Sequence, residues 1–194
     1  MREIWLIRHG ETEWSLSGAH TGLTDIPLTP AGQASAQAIG RYLVRPFSLV
    51  LVSPLQRARE TCRLAGYGSD AVVDPNLLEW DYGDYEGLTT PQIQSENPRW
   101  SLWDNGVPNG ETATQVALRA EAVITRALAT NGDVANGDVA LFAHGHILRI
   151  LAARWLGLPP TAGRLFALGT ASLSTLGYER QTPVITRWNL SPSA

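Results

Sequence analysis

The sequence predicts an α/β fold, a three-layer α/β/α sandwich with a mostly parallel central sheet. Several short apolar runs are continuous rather than alternating, which is typical of strands buried on both faces. Segments with helical periodicity, capping residues and terminal glycines separate these runs. Because strands alternate with helices, crossover connections make neighbouring strands parallel. The 194 residues show no linker, so we expect a single domain spanning residues 1–194.

The first strand and the first long helix are predicted at residues 4–7 and 28–43. The first segment is an uninterrupted apolar run, and a polar loop follows it. Thr29 can cap the helix that comes next. Pro30 suits the first helical turn, where its missing N–H is not needed.

A second strand is expected at residues 48–53, and it leads directly into another helix. Ser53 and Gln56 have the spacing of a capping box, and Pro54 would occupy the first helical position. Gly66 can end this helix, because glycine readily adopts the left-handed conformation that closes many helices.

The rest of the chain continues the alternation around one long irregular section. Further strands are predicted at 71–73, 138–144, 171–180 and 183–190, and further helices at 111–129 and 145–157. Residues 76–112 are irregular, with one short helix near 89–96, and such a section in a compact domain is usually functional. We interpret the tandem repeat NGDVANGDVA at 131–140 as a small duplication in a surface turn.

Composition excludes several classes of function. The formal net charge of −3 gives no electrostatic footprint for nucleic acid or an anionic membrane. The 15 Lys/Arg positions are all arginine, which excludes lysine Schiff-base chemistry and a lysine-dependent phosphate loop. The single cysteine, Cys62, excludes an internal disulfide and a multi-cysteine metal site. With no signal-peptide pattern and no apolar run of about 20 residues, we expect a cytoplasmic protein.

Cationic and imidazole side chains follow three of the apolar runs. Arg8 and His9 come directly after the first run. Arg57 lies early in the helix after the second run, and His144 and His146 follow the run before residue 144. Ligands of open α/β sheets bind beyond the carboxyl ends of the strands, where helix amino termini also favour anions. We therefore expect an anion site at this edge, and phosphate is its natural ligand.

Four motifs, in order, resemble those of the histidine phosphatase superfamily, which includes the cofactor-dependent phosphoglycerate mutases. They are LIRHGETEW, SPLQRARET, LLEWDYGDYEG and FAHGHILR, and together they span residues 6–149. The stretches TEWSLSGAHTGLTDIPLT and EWDYGDYEGLTTPQI look closest to the bacterial acid phosphatases and the sedoheptulose-bisphosphatase-like branch. The resemblance implies a phosphoglycerate mutase-like fold.

The resemblance also implies a division of catalytic roles. His9 would be the nucleophile that attacks phosphorus and forms a phosphohistidine. Arg8, Arg57 and His144 would hold the oxygens of the transferring phosphoryl group. Glu79 would be the general acid that protonates the leaving alkoxide and later accepts a proton from the attacking water. The same section holds four rival carboxylates, which are more typical of surface or turn positions: Asp81, Asp84, Glu86 and Glu96.

A second set of residues is expected to contact the substrate. These residues are Ser15, Thr21, Gly22, Gly145 and Arg149. Ser15 stands where the mutases typically have asparagine, although ordinary loop hydrogen bonding is an equally good interpretation of Ser15 and Thr21. His146 and Arg149 share a helix face and could contact a distal substrate group, or form a partly exposed helix face.

The sequence-based conclusion is a phosphomonoester hydrolase for a small sugar phosphate or related metabolite. No cofactor, metal, nucleic acid or membrane is expected, and a homodimer is left open. A cofactor-dependent phosphoglycerate mutase is the main alternative, disfavoured because the chain is short and carries Ser15. A metal-dependent hydrolase is less favoured because the four histidines lack metal-ligand spacing. The presence of His9 and Glu79 argues against a phosphate-binding domain without catalysis.

Overall fold

A six-stranded sheet organises this computed structural model, which describes residues 2–43, 46–129 and 137–191. The strands are β1 Ile4–Arg8, β2 Leu49–Val52, β3 Ala71–Val73, β4 Val139–Ala143, β5 Leu173–Glu179 and β6 Thr182–Leu190. Their order is β3-β2-β4-β1-β5-β6. Strands β3, β2, β4 and β1 are mutually parallel, whereas β5 and β6 add an antiparallel pair at one side. The prediction of a mostly parallel sheet is confirmed.

Seven helices occur in the described part of the chain. They are α1 Glu13–Ser17, α2 Pro30–Gly40, α3 Gln56–Leu64, α4 Thr90–Glu96, α5 Leu102–Asn105, α6 Ala113–Leu128 and α7 Gly145–Trp155. Short 3-10 turns are found at Pro75–Leu77, Gly83–Tyr85 and Pro160–Leu165. None of the helices in the described ranges is long and apolar enough to cross a membrane.

Helices cover both faces of the sheet. Successive side chains of a strand point to opposite faces. Ile4 and Leu6 of β1 belong to the core formed with α6 and α7. Trp5 and Ile7 belong to a separate core formed with α2 and α3. This alternation confirms the three-layer α/β/α sandwich and explains why the central strands are apolar without interruption.

The start of α2 agrees with the sequence, whereas the start of α3 does not. The Thr29 side chain accepts a hydrogen bond from the Gly32 N–H, and Pro30 is the first helical residue. The predicted Ser53 capping box is wrong, because α3 begins at Gln56 without a side-chain cap. The Ser53 hydroxyl instead forms a 2.7 Å hydrogen bond with a ring nitrogen of His144. Leaving a polar group of a buried imidazole without a hydrogen-bond partner is costly. Losing a side-chain cap costs less, because solvent or backbone groups can replace it.

Helix α1 lies where the sequence predicted a polar loop. Its amino terminus is a reciprocal capping box between Thr12 and Ser15, with N···O distances of 3.1 and 2.9 Å. Gly18 ends it with a φ of 77°. A serine in place of the usual glutamate or glutamine, and a length of only five residues, explain why the pattern was not recognised.

The irregular section after β3 contains more order than predicted. Helix α4 is found where one short helix was expected, and α5 follows it. The tandem repeat falls mainly outside the described residues, which resume at residue 137 and lead into β4. The assignment of residues 1–194 to one domain stays a prediction.

Candidate active site

A cavity of about 190 Å³ opens beyond the carboxyl ends of β1 and β4. Seven of the ten residues predicted for the site line it: Arg8, His9, Ser15, Thr21, Glu79, Gly145 and Arg149. Gly22, Arg57 and His144 lie outside its lining. The end of β1 therefore delivers the predicted nucleophile and its cationic neighbour to this cavity, and the end of β4 delivers Gly145, as the strand-end argument required.

A larger surface groove of about 800 Å³ lies elsewhere, between α2, α3 and β3. Its charged lining consists of Arg59, Glu60 and Arg63. Glu60 and Arg63 form an ion pair at 2.6 Å. The groove contains no predicted catalytic residue, so its size does not identify it as the reaction site.

His9 is held as a neutral imidazole with one free nitrogen. Its Nδ1 is 2.7 Å from the carbonyl oxygen of Gly10. A carbonyl can only accept, so Nδ1 carries the hydrogen and the lone pair of Nε2 is available. Burial, reinforced by the positive charges of Arg8 and Arg57, lowers the pKa of His9 well below its ordinary value. The ring therefore combines burial, neutrality and a defined tautomer.

Gly10 is the residue that permits this arrangement. A Cβ at this position would lie 2.4 Å from the carbonyl oxygen of Gly32, far inside van der Waals contact. The Gly10 N–H donates to the Thr61 hydroxyl at 3.0 Å, and that hydroxyl donates to the Arg57 carbonyl at 2.7 Å. The backbone that orients His9 is thus fixed against α2 and α3.

Arg8 presents a guanidinium with unused donor capacity. Nη1 donates to the Leu168 carbonyl. Nε is buried and has no hydrogen-bond partner among the described residues. Gly145, the first residue of α7, lies beside this group, and a Cβ there would be 3.4 Å from the guanidinium carbon, an ordinary van der Waals contact. An unpaired buried N–H costs about 1–3 kcal/mol, which an anionic oxygen in the cavity would offset.

Arg57 is fully buried, and protein acceptors occupy most of its donors. Nη1 donates to the Thr24 carbonyl at 2.9 Å. Nη2 donates to the carbonyls of Thr21 and Gly22 at 3.1 and 2.8 Å. Nε donates to His144 at 3.1 Å. Four of its five N–H groups are therefore engaged, and Arg57 fixes the loop before α2 as well as supplying charge.

His144 is also buried, and both its ring nitrogens are bonded. Because Nδ1 accepts from Arg57, Nε2 carries the hydrogen and donates to the Ser53 hydroxyl at 2.7 Å. Burial and the charge of Arg57 lower the pKa of His144 well below its ordinary value. Its ring centroid lies 5.2 Å from that of His9. His144 thus sits behind the nucleophile as a neutral donor whose partner is currently a hydroxyl.

Glu79 is buried and tied to the first turn of α7. Its carboxylate accepts from the backbone N–H groups of His146 and Ile147, both at 2.9 Å. It also accepts from the Trp80 N–H at 3.0 Å. These bonds fix the position of the carboxyl group against the first turn of α7.

Three predicted substrate-binding residues use their polar groups within the protein. The Ser15 hydroxyl donates to the Thr12 carbonyl at 2.8 Å, which completes the cap of α1. The Thr21 hydroxyl donates to the Ala19 carbonyl at 3.0 Å. The Gly22 N–H donates to the carboxylate of Glu86 at 2.9 Å. The hydroxyls of Ser15 and Thr21 therefore form ordinary loop hydrogen bonds, the alternative interpretation that the sequence allowed.

The cavity lining also includes residues outside the sequence-based selection of site residues, among them Trp14, His20 and Tyr82. The Tyr82 hydroxyl is 2.6 Å from Nδ1 of His146. Nε2 of His20 is buried without a partner among the described residues. Burial lowers the pKa of both histidines, so both rings are neutral. His20 and Tyr82 lie inside the quoted motifs, and their proximity to phosphate-binding positions was the available signal.

Arg149 borders the outer part of the cavity. Its guanidinium lies 4.8 Å from the centre of the Trp103 ring and donates to the Gly163 carbonyl at 3.1 Å. Its Nη1 is 3.5 Å from His146, a weak contact. Across the described ranges, no group of three or more His, Cys, Asp and Glu residues is arranged to hold a metal ion.

Comparison with known proteins identifies the family. The profile of the histidine phosphatase superfamily (branch 1) matches residues 4–191. An acid phosphatase of Mycobacterium tuberculosis is 42% identical over 179 residues, covering 91% of this chain and 86% of that protein. A sedoheptulose 1,7-bisphosphatase of Saccharomyces cerevisiae is 39% identical over 182 residues, covering 79% of this chain and 67% of that protein.

The fold comparison agrees with the sequence comparison. The solved structure of an open reading frame from Mycobacterium tuberculosis superposes with a TM-score of 0.92 at 38% identity, and covers 99% of both chains. The resemblance that the four motifs predicted is therefore confirmed. This chain belongs to branch 1 of the histidine phosphatase superfamily.

Proposed function

We propose that this protein is a phosphoric monoester hydrolase that works through a phosphohistidine on His9. The observation that carries the proposal is the state of His9, a neutral ring whose Nδ1 is bonded to the Gly10 carbonyl and whose Nε2 is free. Arg8 and Glu79 line the same cavity. The names of the two relatives, an acid phosphatase and a sugar bisphosphatase, support the same reaction class.

In the first step, Nε2 of His9 attacks the phosphorus of the bound ester. The P–N bond forms as the P–O bond to the leaving group breaks, and Glu79 donates its proton to the departing oxygen. The positive charge that develops on the imidazole is shared with the Gly10 carbonyl through Nδ1–H. Nε of Arg8 donates to a phosphoryl oxygen, which supplies the acceptor that this buried group lacks.

In the second step, water attacks the phosphorus of the phosphohistidine. Glu79, now a carboxylate, accepts a proton from that water. The P–N bond breaks, inorganic phosphate forms, and His9 returns to its neutral state. One carboxylate thus serves as acid and then as base, because each step leaves it in the form that the other requires.

Arg57 and His144 complete the phosphoryl site in this proposal, although nearly all of their polar atoms are bonded to protein groups. Arg57 has one N–H left to donate and lowers the pKa of His9 through its charge. His144 can exchange the Ser53 hydroxyl for a phosphoryl oxygen. A charged acceptor makes a hydrogen bond about twice as strong as a neutral one, so the exchange is favourable.

The cavity favours a small, polar leaving group. Its volume of about 190 Å³ lies below the roughly 300–1,000 Å³ of common ligand pockets. Beyond the catalytic residues, its walls carry the Tyr82–His146 hydrogen bond and the guanidinium of Arg149. These groups suit the hydroxyls of a sugar phosphate better than an apolar group. The fixed Ser15 hydroxyl also offers less reach into the cavity than asparagine would, which disfavours the mutase alternative.

A substrate panel tests the proposal. Phosphate release would be measured for glycerol, hexose, sugar bisphosphate and p-nitrophenyl phosphates, alongside a mutase assay on 3-phosphoglycerate. We expect hydrolysis by the wild type and a loss of at least about 1,000-fold in kcat for His9→Ala. The variant should retain measurable phosphate binding, which shows that the site is still folded. Unchanged hydrolysis by His9→Ala, or isomerisation of 3-phosphoglycerate faster than phosphate release, would refute the hydrolase proposal.

A further inference from the structure

We infer that Arg119 on α6 is a positioning residue for the general acid Glu79. The inference rests on the proposed function, since it concerns the acid of that reaction. Arg119 lies outside the cavity lining and touches no reacting atom. Its guanidinium nevertheless donates five hydrogen bonds, one for every N–H that it carries, and all of them go to the segment around Glu79 or to Glu111.

Three of these bonds hold the backbone that leads to the acid. Nη1 donates to the carbonyls of Asn76 and Leu78 at 3.0 and 2.8 Å. Nη2 donates to the carbonyl of Glu79 itself at 3.2 Å. These carbonyls lie at the end of the 3-10 turn before the acid and just beyond it, and they do not belong to a regular hydrogen-bond ladder. Arg119 therefore supplies the donors that fix the course of this turn.

The other two bonds join Arg119 to Glu111, just before α6. The pairing is bidentate, with Nε–Oε1 at 2.8 Å and Nη2–Oε2 at 2.6 Å. Glu111 in turn accepts from the Asp81 N–H at 3.0 Å, and its carbonyl accepts from the Trp80 indole at 2.7 Å. The Arg119–Glu111 pair therefore forms hydrogen bonds to the chain both before and after Glu79. The side chains are only 19% and 22% exposed, so solvent screens the pair weakly.

Glu79 is consequently held from two directions. Arg119 fixes its main chain from α6, and the first turn of α7 fixes its carboxylate. A proton donor must lie within hydrogen-bond reach of the leaving oxygen, and a misplacement of about 1 Å can cost 100-fold. Lysine at position 119 would keep the charge but lose the planar, forked arrangement of N–H donors, because its three donors are all on one atom. The turn would then lose its geometry while the nucleophile stayed in place.

The leaving group distinguishes this role from general support of the fold. A sugar alkoxide is a strong base and needs the proton from Glu79 as the P–O bond breaks. p-Nitrophenolate is a far weaker base and leaves without much help. The ratio kcat/KM reports the steps up to formation of the phosphohistidine, so it isolates the protonation of the leaving group from the later hydrolysis.

The test compares Arg119→Lys with wild type on glycerol phosphate and on p-nitrophenyl phosphate. We expect kcat/KM to fall by about 10- to 100-fold for glycerol phosphate and by no more than about 3-fold for p-nitrophenyl phosphate. Glu79→Gln should show an even larger difference between the losses of kcat/KM on the two substrates, in the same direction. In the double variant the two losses should not add, because both act through one proton donor.

Two further variants serve as controls. Arg154→Lys changes a different ion pair of α6, the one that joins Glu121 to Arg154 of α7 at 2.6 Å, and should leave both kcat/KM values near wild type. Glu111→Gln weakens the ion pair with Arg119 from the other side and should cause the same larger loss on glycerol phosphate. This variant serves as the test if Arg119→Lys does not fold. Equal losses on the two substrates, or no loss on either, would overturn the positioning role. If wild type hydrolyses neither ester, the proposed function fails instead.

Discussion

His9 illustrates how its surroundings set the chemistry of a single residue. Its ordinary pKa would leave an imidazole partly protonated in mild acid, and a protonated ring cannot attack phosphorus. Burial and two neighbouring arginines lower that pKa, while the Gly10 carbonyl acts weakly in the opposite direction. The lowering prevails, so the nucleophile stays neutral at pH values where a solvent-exposed histidine would carry charge.

The pH dependence of kcat/KM should show this directly. Because the pKa of His9 is lowered, the neutral form persists as the pH falls, and no loss of activity should appear near the ordinary histidine value of about 6.5. Esters whose phosphate groups ionise at different pH values separate the titration of the substrate from that of the enzyme. An acid limb near the ordinary histidine value that does not move with the substrate would contradict the assignment.

Individual residues differ in how far the sequence could predict them. Arg8, His9 and Glu79 were predicted and do line one cavity, because strand ends and short motifs fix where a backbone delivers a side chain. Ser15 was interpreted through its contrast with asparagine, yet its hydroxyl serves the cap of α1. Hydrogen-bond partners depend on the folded neighbours of a residue, and one sequence does not contain that information. The same reason explains why the bonded state of His144 was not foreseen.

At the scale of elements, the junction between β2 and α3 links structure to function. The strand ends at Val52, and α3 begins only at Gln56. The intervening Ser53 is fully buried and accepts from the Nε2–H of His144. A residue that the sequence placed in a helix cap thus completes the site, and the helix starts without a side-chain cap.

Ser53→Ala tests whether His144 exchanges this partner for phosphate. The variant leaves a buried N–H unpaired, so the free energy of unfolding should fall by about 1–3 kcal/mol. Inorganic phosphate would restore an acceptor, so saturating phosphate should raise the Tm of Ser53→Ala more than that of wild type, measured by calorimetry. Ser174→Ala removes a buried hydroxyl that does not line the cavity and accepts from the Asn189 N–H, so it should show the wild-type phosphate effect. Equal phosphate effects in all three proteins would contradict the exchange.

Most elements were predictable because they carry strong local signals. The buried strands β1, β2 and β4 are unbroken apolar runs, and α2 begins with Thr29 and Pro30 as expected. Helices α1 and α5 have five and four residues, too few for a periodic pattern to develop. Short elements of this kind are set by the surrounding packing rather than by their own sequence.

At the scale of the whole molecule, the site depends on distant parts of the chain. Arg8 and His9 end β1, Glu79 lies in the long irregular section, and Arg149 belongs to α7. The sheet order, which places β4 beside β1, brings them together. Periodicity identified the strands and crossover rules predicted parallel pairing, but the order of strands follows from long-range packing. The ordered motifs, through their family resemblance, supplied what periodicity alone could not.

Covalent capture of the intermediate tests the central claim most directly. Enzyme mixed with a phosphomonoester labelled in its phosphate group would be quenched within a single turnover and cleaved at arginine. We predict acid-labile, base-stable label on the peptide of residues 9–41, assigned by fragmentation to His9 rather than to His20. His9→Ala should carry none. Turnover without any labelled protein, or label on a residue other than His9, would contradict the account.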